Sequence, residues 1–233
     1  MKLIGQVSKE QRGDICILRM DNPPVNAIGS GIRQGLFDEI KAAQADPTIG
    51  AIVIAGSGKA FAAGADIREF GGDPTQPVGM VDIREHIQSG ELPIVAAISG
   101  VALGGGLELA MYCDYRVADP GSKLGLPELN LGIIPGGAGT QHLPRLVGAE
   151  KALDMLISSK PIGAADAQAA GLVDEVATGD VVDAACAIAR DIIAGKRPRV
   201  DIRQLDEKIS RDRGNADLFA NARTQAQRKR AGQ

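Results

Sequence analysis

Two carboxylates stand in apolar runs of this 233-residue chain: Glu108 in GGGLELAMYC (104–113) and Glu128 in LGLPELNLGIIPGG (124–137). A carboxylate in apolar surroundings is costly without a partner, and a like charge nearby pushes one carboxyl pKa up toward neutrality. Such a pair can divide the work: one carboxylate holds a water as base, the other supplies a proton. The glycines ahead of Glu108 point the same way. A glycine run between a strand and a helix lets a ligand approach the backbone, and the first helical N–H groups have no intrahelical acceptor. Those donors, at the positive end of a helix, can stabilise a developing oxyanion. AAGADI (62–67) offers a second strand–loop–helix of this kind. Two N–H groups from two loops converging on one oxygen would form an oxyanion hole. Each glutamate taken alone also fits a salt-bridged structural residue, and sequence separation does not bring the pair together.

Other site chemistries find little support. Gly104-Gly105-Gly106 continues as Leu107-Glu108-Leu109, so the third glycine of a G-x-G-x-x-G dinucleotide fingerprint is missing, and an acidic residue there would repel a pyrophosphate. GSGKA (56–60) has Val53 and Ala60 where a phosphate-binding P-loop needs Gly and Ser/Thr. His86 and His142 lack metal-ligand spacing, and no serine sits in G-x-S-x-G. The three cysteines, Cys16, Cys113 and Cys186, are scattered and read as reduced thiols. With a polar N-terminus and no apolar run near the roughly 18 residues of a membrane span, the expectation is a cytoplasmic protein without membrane partners. Net charge is −3, but residues 196–233 carry 11 Lys/Arg against 5 Asp/Glu. This basic tail reads as a solvated helical face. RNA binding through it is an alternative of another class, disfavoured because Phe219 is its only aromatic.

The elements that must position these residues alternate. Strands are expected at ICILRM (15–20), GAIVIAG (50–56), PIVAAISG (93–100), YRVAD (115–119), KLGLPE (123–128) and LVDEV (172–176). Helical periodicity marks 31–46, 81–89, 139–147, 150–158, 164–170 and 181–194. Residues 57–70 read as a Gly/Ala-rich loop turning into a helix, and 71–79 as a mobile Pro/Gly-rich stretch. Strand-to-helix alternation predicts an α/β fold with right-handed crossovers.

KAFAAGADI (59–67), VALGGGLELAMYCDYRVAD (101–119) and GLPELNLGIIPGGAGTQHLPRLVG (125–148) closely resemble the enoyl-CoA hydratase/isomerase (crotonase) family. A looser likeness covers about residues 10–195, including PVNAI (24–28) and AADAQAAGLVDEV (164–176). The resemblance implies a crotonase-like spiral of ββα turns with a helical C-terminal segment, and a site for acyl-CoA thioesters. By position, the oxyanion-hole donors would be Ala65 and Gly105, the hydratase glutamates Glu108 and Glu128, and Gly136 a backbone contact to the catalytic water. Val25, Ala27, Ala63, Asp66, Ile67 and Arg68 match positions lining the coenzyme A groove. The implied reaction is reversible syn addition of water to a trans-2-enoyl-CoA, with no metal or redox cofactor. Δ3,Δ2-enoyl-CoA isomerisation is an alternative main role; a non-catalytic acyl-CoA-binding protein is another. After Gly195 the chain is polar and basic where the family's C-terminal helices would be apolar. It resembles the linker of multifunctional β-oxidation proteins. The expectation is therefore a hydratase domain over 1–195 and a tail or linker over 196–233, cut from a longer chain carrying a 3-hydroxyacyl-CoA dehydrogenase part. The family's homotrimer is the other expected assembly.

Overall fold

The computed structural model describes residues 3–69 and 78–231. The loop expected over 71–79 lies almost wholly outside them. Two sheets carry the fold. Strands β1 (Gln6–Arg12), β2 (Ile15–Asp21) and β3 (Ala51–Gly56) are followed by the two-residue β4 (Ala62–Ala63), and helix α1 (Ser30–Ala45) lies between β2 and β3. Helix α2 (Met80–Ser89), β5 (Ile94–Ile98), β6 (Val101–Leu103) and α3 (Gly105–Tyr112) come next. Then follow β7 (Tyr115–Ala118), β8 (Lys123–Gly125), α4 (Gly139–Val147) and α5 (Ala149–Ser158). The chain continues through β9 (Ile162–Gly163), α6 (Ala164–Ala170), β10 (Glu175–Val176), α7 (Val181–Ile193), α8 (Glu207–Arg211) and α9 (Ala216–Ala231).

The larger sheet has the order β1-β2-β3-β5-β7-β10, and the smaller β4-β6-β8-β9. All pairs are parallel except β1 with β2 and β8 with β9. Consecutive strands therefore alternate between sheets: β3 then β4, β5 then β6, β7 then β8. Helices α2, α3 and α4 close the successive turns, which is a spiral of ββα units. The sequence accounts for this directly. The continuous Val/Ile/Ala runs of β3 and β5 have no polar face, as strands covered on both sides require. One face meets α7 through Val53, Val95, Val117, Ala185, Ile188 and Ala189. The other meets the main core, where Ile32, Ile54, Leu107 and Leu143 are inaccessible to solvent.

Several boundaries move. The polar stretch Gln6–Arg12 is a strand, paired edge-on with β2 and largely solvated. Only Val7 marks its inner face, so no alternation betrays it. The strand expected over 123–128 stops at Gly125, because Pro127 ends the ladder and a 3₁₀ turn, Glu128–Leu131, takes over. Residues 57–70 give β4 and a single 3₁₀ turn, Ile67–Glu69, rather than a full helix. The strand expected over 172–176 shortens to two residues.

Residues 196–231 lie against the body. Arg199 donates to Asp114 and to the carbonyls of Gly90 and Glu91, and Ile202 is buried in the main core. Lys229 Nζ donates to Ile157 O (2.7 Å), Ser158 O (3.0 Å) and Ser159 Oγ (2.9 Å), at the carbonyl end of α5. A lysine there answers both orphan carbonyls and the negative helix end. Lys208 Nζ likewise donates to Leu146 O and Ala170 O, closing α4 and α6.

Candidate active site

Helix α3 begins at the glycine run because Gly104 holds φ +51° and ψ −128°, a conformation closed to L side chains, and so turns the chain from β6 into the helix. The N–H of Gly105 then opens the helix with no acceptor among the described residues. Across from it, the β4 loop is held by Ile28 N–H donating to Gly64 O (2.8 Å) and Asp66 N–H to Ile28 O (3.3 Å). That pairing leaves Ala65 N–H unbonded too. A β-carbon on Gly105 would lie 3.6 Å from Ala65 N, so the two free donors border one space.

Glu108 lies one turn into α3 and is 3% exposed. Its Oε1 accepts from Gly137 N–H (2.8 Å) and Gly139 N–H (2.7 Å). Burial raises its pKa, while these two N–H bonds and the charge of Arg84 act the other way. Glu128, at the start of the 3₁₀ turn after β8, is 9% exposed, and its buried Oε2 has no hydrogen-bond partner among the described residues. Its Oε1 would stand 3.1 Å from a β-carbon on Gly104, which would also lie 3.7 Å from Gly64 Cα. Burial pushes Glu128 up to about 7, and repulsion from Glu108 adds to this. The structure thus brings both glutamates and both free N–H groups together. One carboxylate is held by two backbone donors from another loop; the other has its Oε2 without a partner among the described residues and is inclined to keep a proton at neutral pH.

Gly136, expected to contact the catalytic water, is exposed and has nothing within 4 Å of its β-carbon position; Gly137 and Gly139 hold Glu108. Of the groove positions, Val25 O accepts from Ala63 N–H (3.0 Å) and Ala27 O from Asn22 Nδ2 (2.6 Å). Asp66 is 3% exposed and accepts from Arg68 Nε (2.8 Å) and Asn22 Nδ2 (3.1 Å). The Arg68 guanidinium holds it down at about 2. Ile67 is 73% exposed. These residues lie along one rim, formed where the loop after β2 crosses the loop after β4. Sequence reasoning missed Tyr112, whose hydroxyl donates to Gly137 O (2.6 Å). The available signal was its place four residues after Glu108, on the same helix face.

Beyond Glu128, Leu129, Ile133, Ile134, Ile157, Ala226 and Lys229 line a cavity of about 840 Å³ between the 3₁₀ turn, α5 and α9. Ile134 is 71% exposed.

Comparison with known proteins shows the family. A family model described as enoyl-CoA hydratase/isomerase matches residues 10–229. The probable enoyl-CoA hydratase of Bacillus subtilis is 46% identical over 187 residues, which is 75% of this chain and 71% of that protein. The peroxisomal bifunctional enzyme of Homo sapiens is 40% identical over 219 residues, covering 94% of this chain and 30% of the relative. The chain spans less than a third of the length of such multifunctional relatives. Among solved structures, the enoyl-CoA hydratase from Thermoplasma volcanium superposes with a TM-score of 0.73 at 33% identity, covering 97% of this chain and 90% of that one. That from Bacillus anthracis gives 0.75 at 28%, covering 98% and 92%. With the spiral fold, this extent of likeness makes the chain a member of the enoyl-CoA hydratase/isomerase family.

Proposed function

We propose that this chain hydrates trans-2-enoyl-CoA thioesters. The observation that carries the reading is the shared pocket of Glu108 and Glu128 beside two unbonded backbone N–H groups. The thioester oxygen accepts from Ala65 and Gly105 N–H, which polarises the conjugated system and makes Cβ electrophilic. Glu108, whose ionised form Gly137 and Gly139 favour against its burial, takes a proton from water as the water oxygen bonds to Cβ. The electron pair of the double bond moves toward the thioester oxygen as an enolate. Glu128, protonated up to about pH 7, delivers its proton to Cα. The sum is H–OH added across the double bond; one proton passed from Glu108 to Glu128 restores the start. Water and two carboxyls balance the reaction without a metal or redox group.

Val25, Ala27, Ala63, Asp66, Ile67 and Arg68 form the rim proposed to take coenzyme A. Asp66 acts there by fixing Asn22 and Arg68, since its carboxylate is already fully bonded. The apolar cavity beyond Glu128 suits a fatty acyl tail. The homotrimer and the covalent 3-hydroxyacyl-CoA dehydrogenase part stay proposals drawn from the resemblance.

The free Oε2 of Glu128 favours a second activity, because proton shuttling between Cα and Cγ needs only the hole and one such carboxyl. The experiment is turnover of crotonyl-CoA, followed by loss of the conjugated thioester absorbance, beside a trans-3-enoyl-CoA, followed by its gain. Rapid hydration supports the main reading. Isomerisation without hydration would replace it with the second, and neither would remove both.

A further inference from the structure

We propose that Tyr112 is a positioning residue for the Glu108 carboxylate, acting through the peptide between Gly137 and Ala138; the inference rests on the hydratase reading above. Tyr112 closes α3 four residues after Glu108, with 3% of its surface exposed. Its hydroxyl donates to Gly137 O (2.6 Å). That carbonyl belongs to the middle one of three consecutive peptides. The peptides on either side present the Gly137 and Gly139 N–H groups to Glu108 Oε1 at 2.8 and 2.7 Å. Donors on the outer peptides and an acceptor on the middle one are the alternation this turn needs to face Glu108 twice. The turn is not a relaxed one: Ala138 holds φ +74°, a conformation unfavourable to alanine. It is kept by bonds on both sides, Tyr112 on one and Glu108 on the other.

The two side chains also share space. A β-carbon on Gly137 would lie 2.7 Å from Glu108 Oε2 and would collide with the Tyr112 hydroxyl. His142 of α4 packs edge-on to the Tyr112 ring, with centroids 5.8 Å apart. Without the hydroxyl, the buried Gly137 carbonyl loses its donor. The middle peptide is then free to rotate, and the flanking N–H groups leave their alignment on Glu108. Glu108 would become a misplaced base that takes up its proton at higher pH. The charged or titratable groups around it are Arg84 of α2, Glu128 after β8, Tyr112 of α3 and, behind that ring, His142 of α4. Burial lowers His142 to about 4 and raises Tyr112 above its ordinary range, whereas it raises Glu108. The Tyr112 hydroxyl is bonded to Gly137 O and not to the hole donors or the rim residues, so its role lies with the Gly137 turn.

The test is a double-mutant cycle on crotonyl-CoA hydration with Tyr112→Phe, Glu108→Gln and the pair, with kcat and KM followed across pH. Phenylalanine keeps the ring and its packing, and a melting curve reports that the variant is folded. Tyr112→Phe should lower kcat about fivefold to tenfold, the scale of one hydrogen bond, with KM within about twofold. The acid limb of its kcat profile should move to higher pH. In the Glu108→Gln background the same change should alter kcat by less than about twofold. An unchanged profile, or an equal loss in both backgrounds, would overturn the inference. An active wild type with Tyr112→Phe behaving like it would sink this inference alone, whereas an inactive wild type takes the hydratase reading down with it.

Discussion

At the scale of single residues, the site works by giving two identical side chains opposite surroundings. Glu108 receives two N–H groups and Glu128 Oε2 receives none, so burial weighs more heavily on Glu128. That difference has a stability consequence. The folded-state pKa of Glu128, about 7, lies above its ordinary 4.5. Between those values the unfolded chain releases the proton and the folded one keeps it, so wild-type stability falls as pH rises through this window. Glutamine cannot titrate. Glu128→Gln should therefore match wild type near pH 4.5 and exceed it by up to about 3 kcal/mol at pH 8. Melting curves at the two pH values check this, and parallel curves would show that Glu128 is not strained by its burial. The sequence revealed these two residues well, because carboxylates in apolar runs are rare without a reason. It could not reveal their partners. Gly137 and Gly139 reach Glu108 from the far side of two strands and a loop.

At the scale of elements, the ends of helices and strands carry the function more than their middles. α3 presents a free N–H at its first residue and a carboxylate one turn deeper, both set by the backbone of Gly104. Gly104→Ala would force an L side chain to φ +51° and ψ −128°, with its methyl 3.1 Å from Glu128 Oε1. The expected cost is about 1–3 kcal/mol, with a loss of hydration, because Gly105 N–H and Glu128 would both be displaced. Unchanged melting and turnover would contradict this account of the turn. The alternation of buried strands and helices was legible because β3 and β5 are continuous apolar runs. β1 was not, since a solvated edge strand with one inward valine has no readable period. Pro127 was visible, yet its effect of cutting β8 short and starting the turn that carries Glu128 became clear only in three dimensions.

At the scale of the whole molecule, the basic tail is the least legible feature. Its charges suggested a solvated segment, but Lys208 and Lys229 are spent on the carbonyl ends of α4, α5 and α6. No pattern in the tail alone names those distant acceptors. With α9 docked, Ala226 and Lys229 join Leu129, Ile133, Ile134 and Ile157 around the apolar cavity, which Leu129 borders one residue after Glu128. If this cavity holds the acyl tail, a charge placed in it penalises long substrates more than short ones. Ile134→Asp should lower the ratio of kcat/KM for a twelve-carbon enoyl-CoA over crotonyl-CoA by at least about tenfold, since each buried methylene contributes about 0.8 kcal/mol. An unchanged ratio would place the tail elsewhere.

The central claim is that both glutamates act on one substrate held by one pair of N–H groups. The most direct measurement is kcat for crotonyl-CoA hydration in Glu108→Gln and Glu128→Gln, beside the wild type, with KM recorded for each. Each variant should lose roughly 10²–10⁴-fold in kcat, the range of a general acid or base, while still binding the thioester. Wild-type rates in either variant would contradict the account.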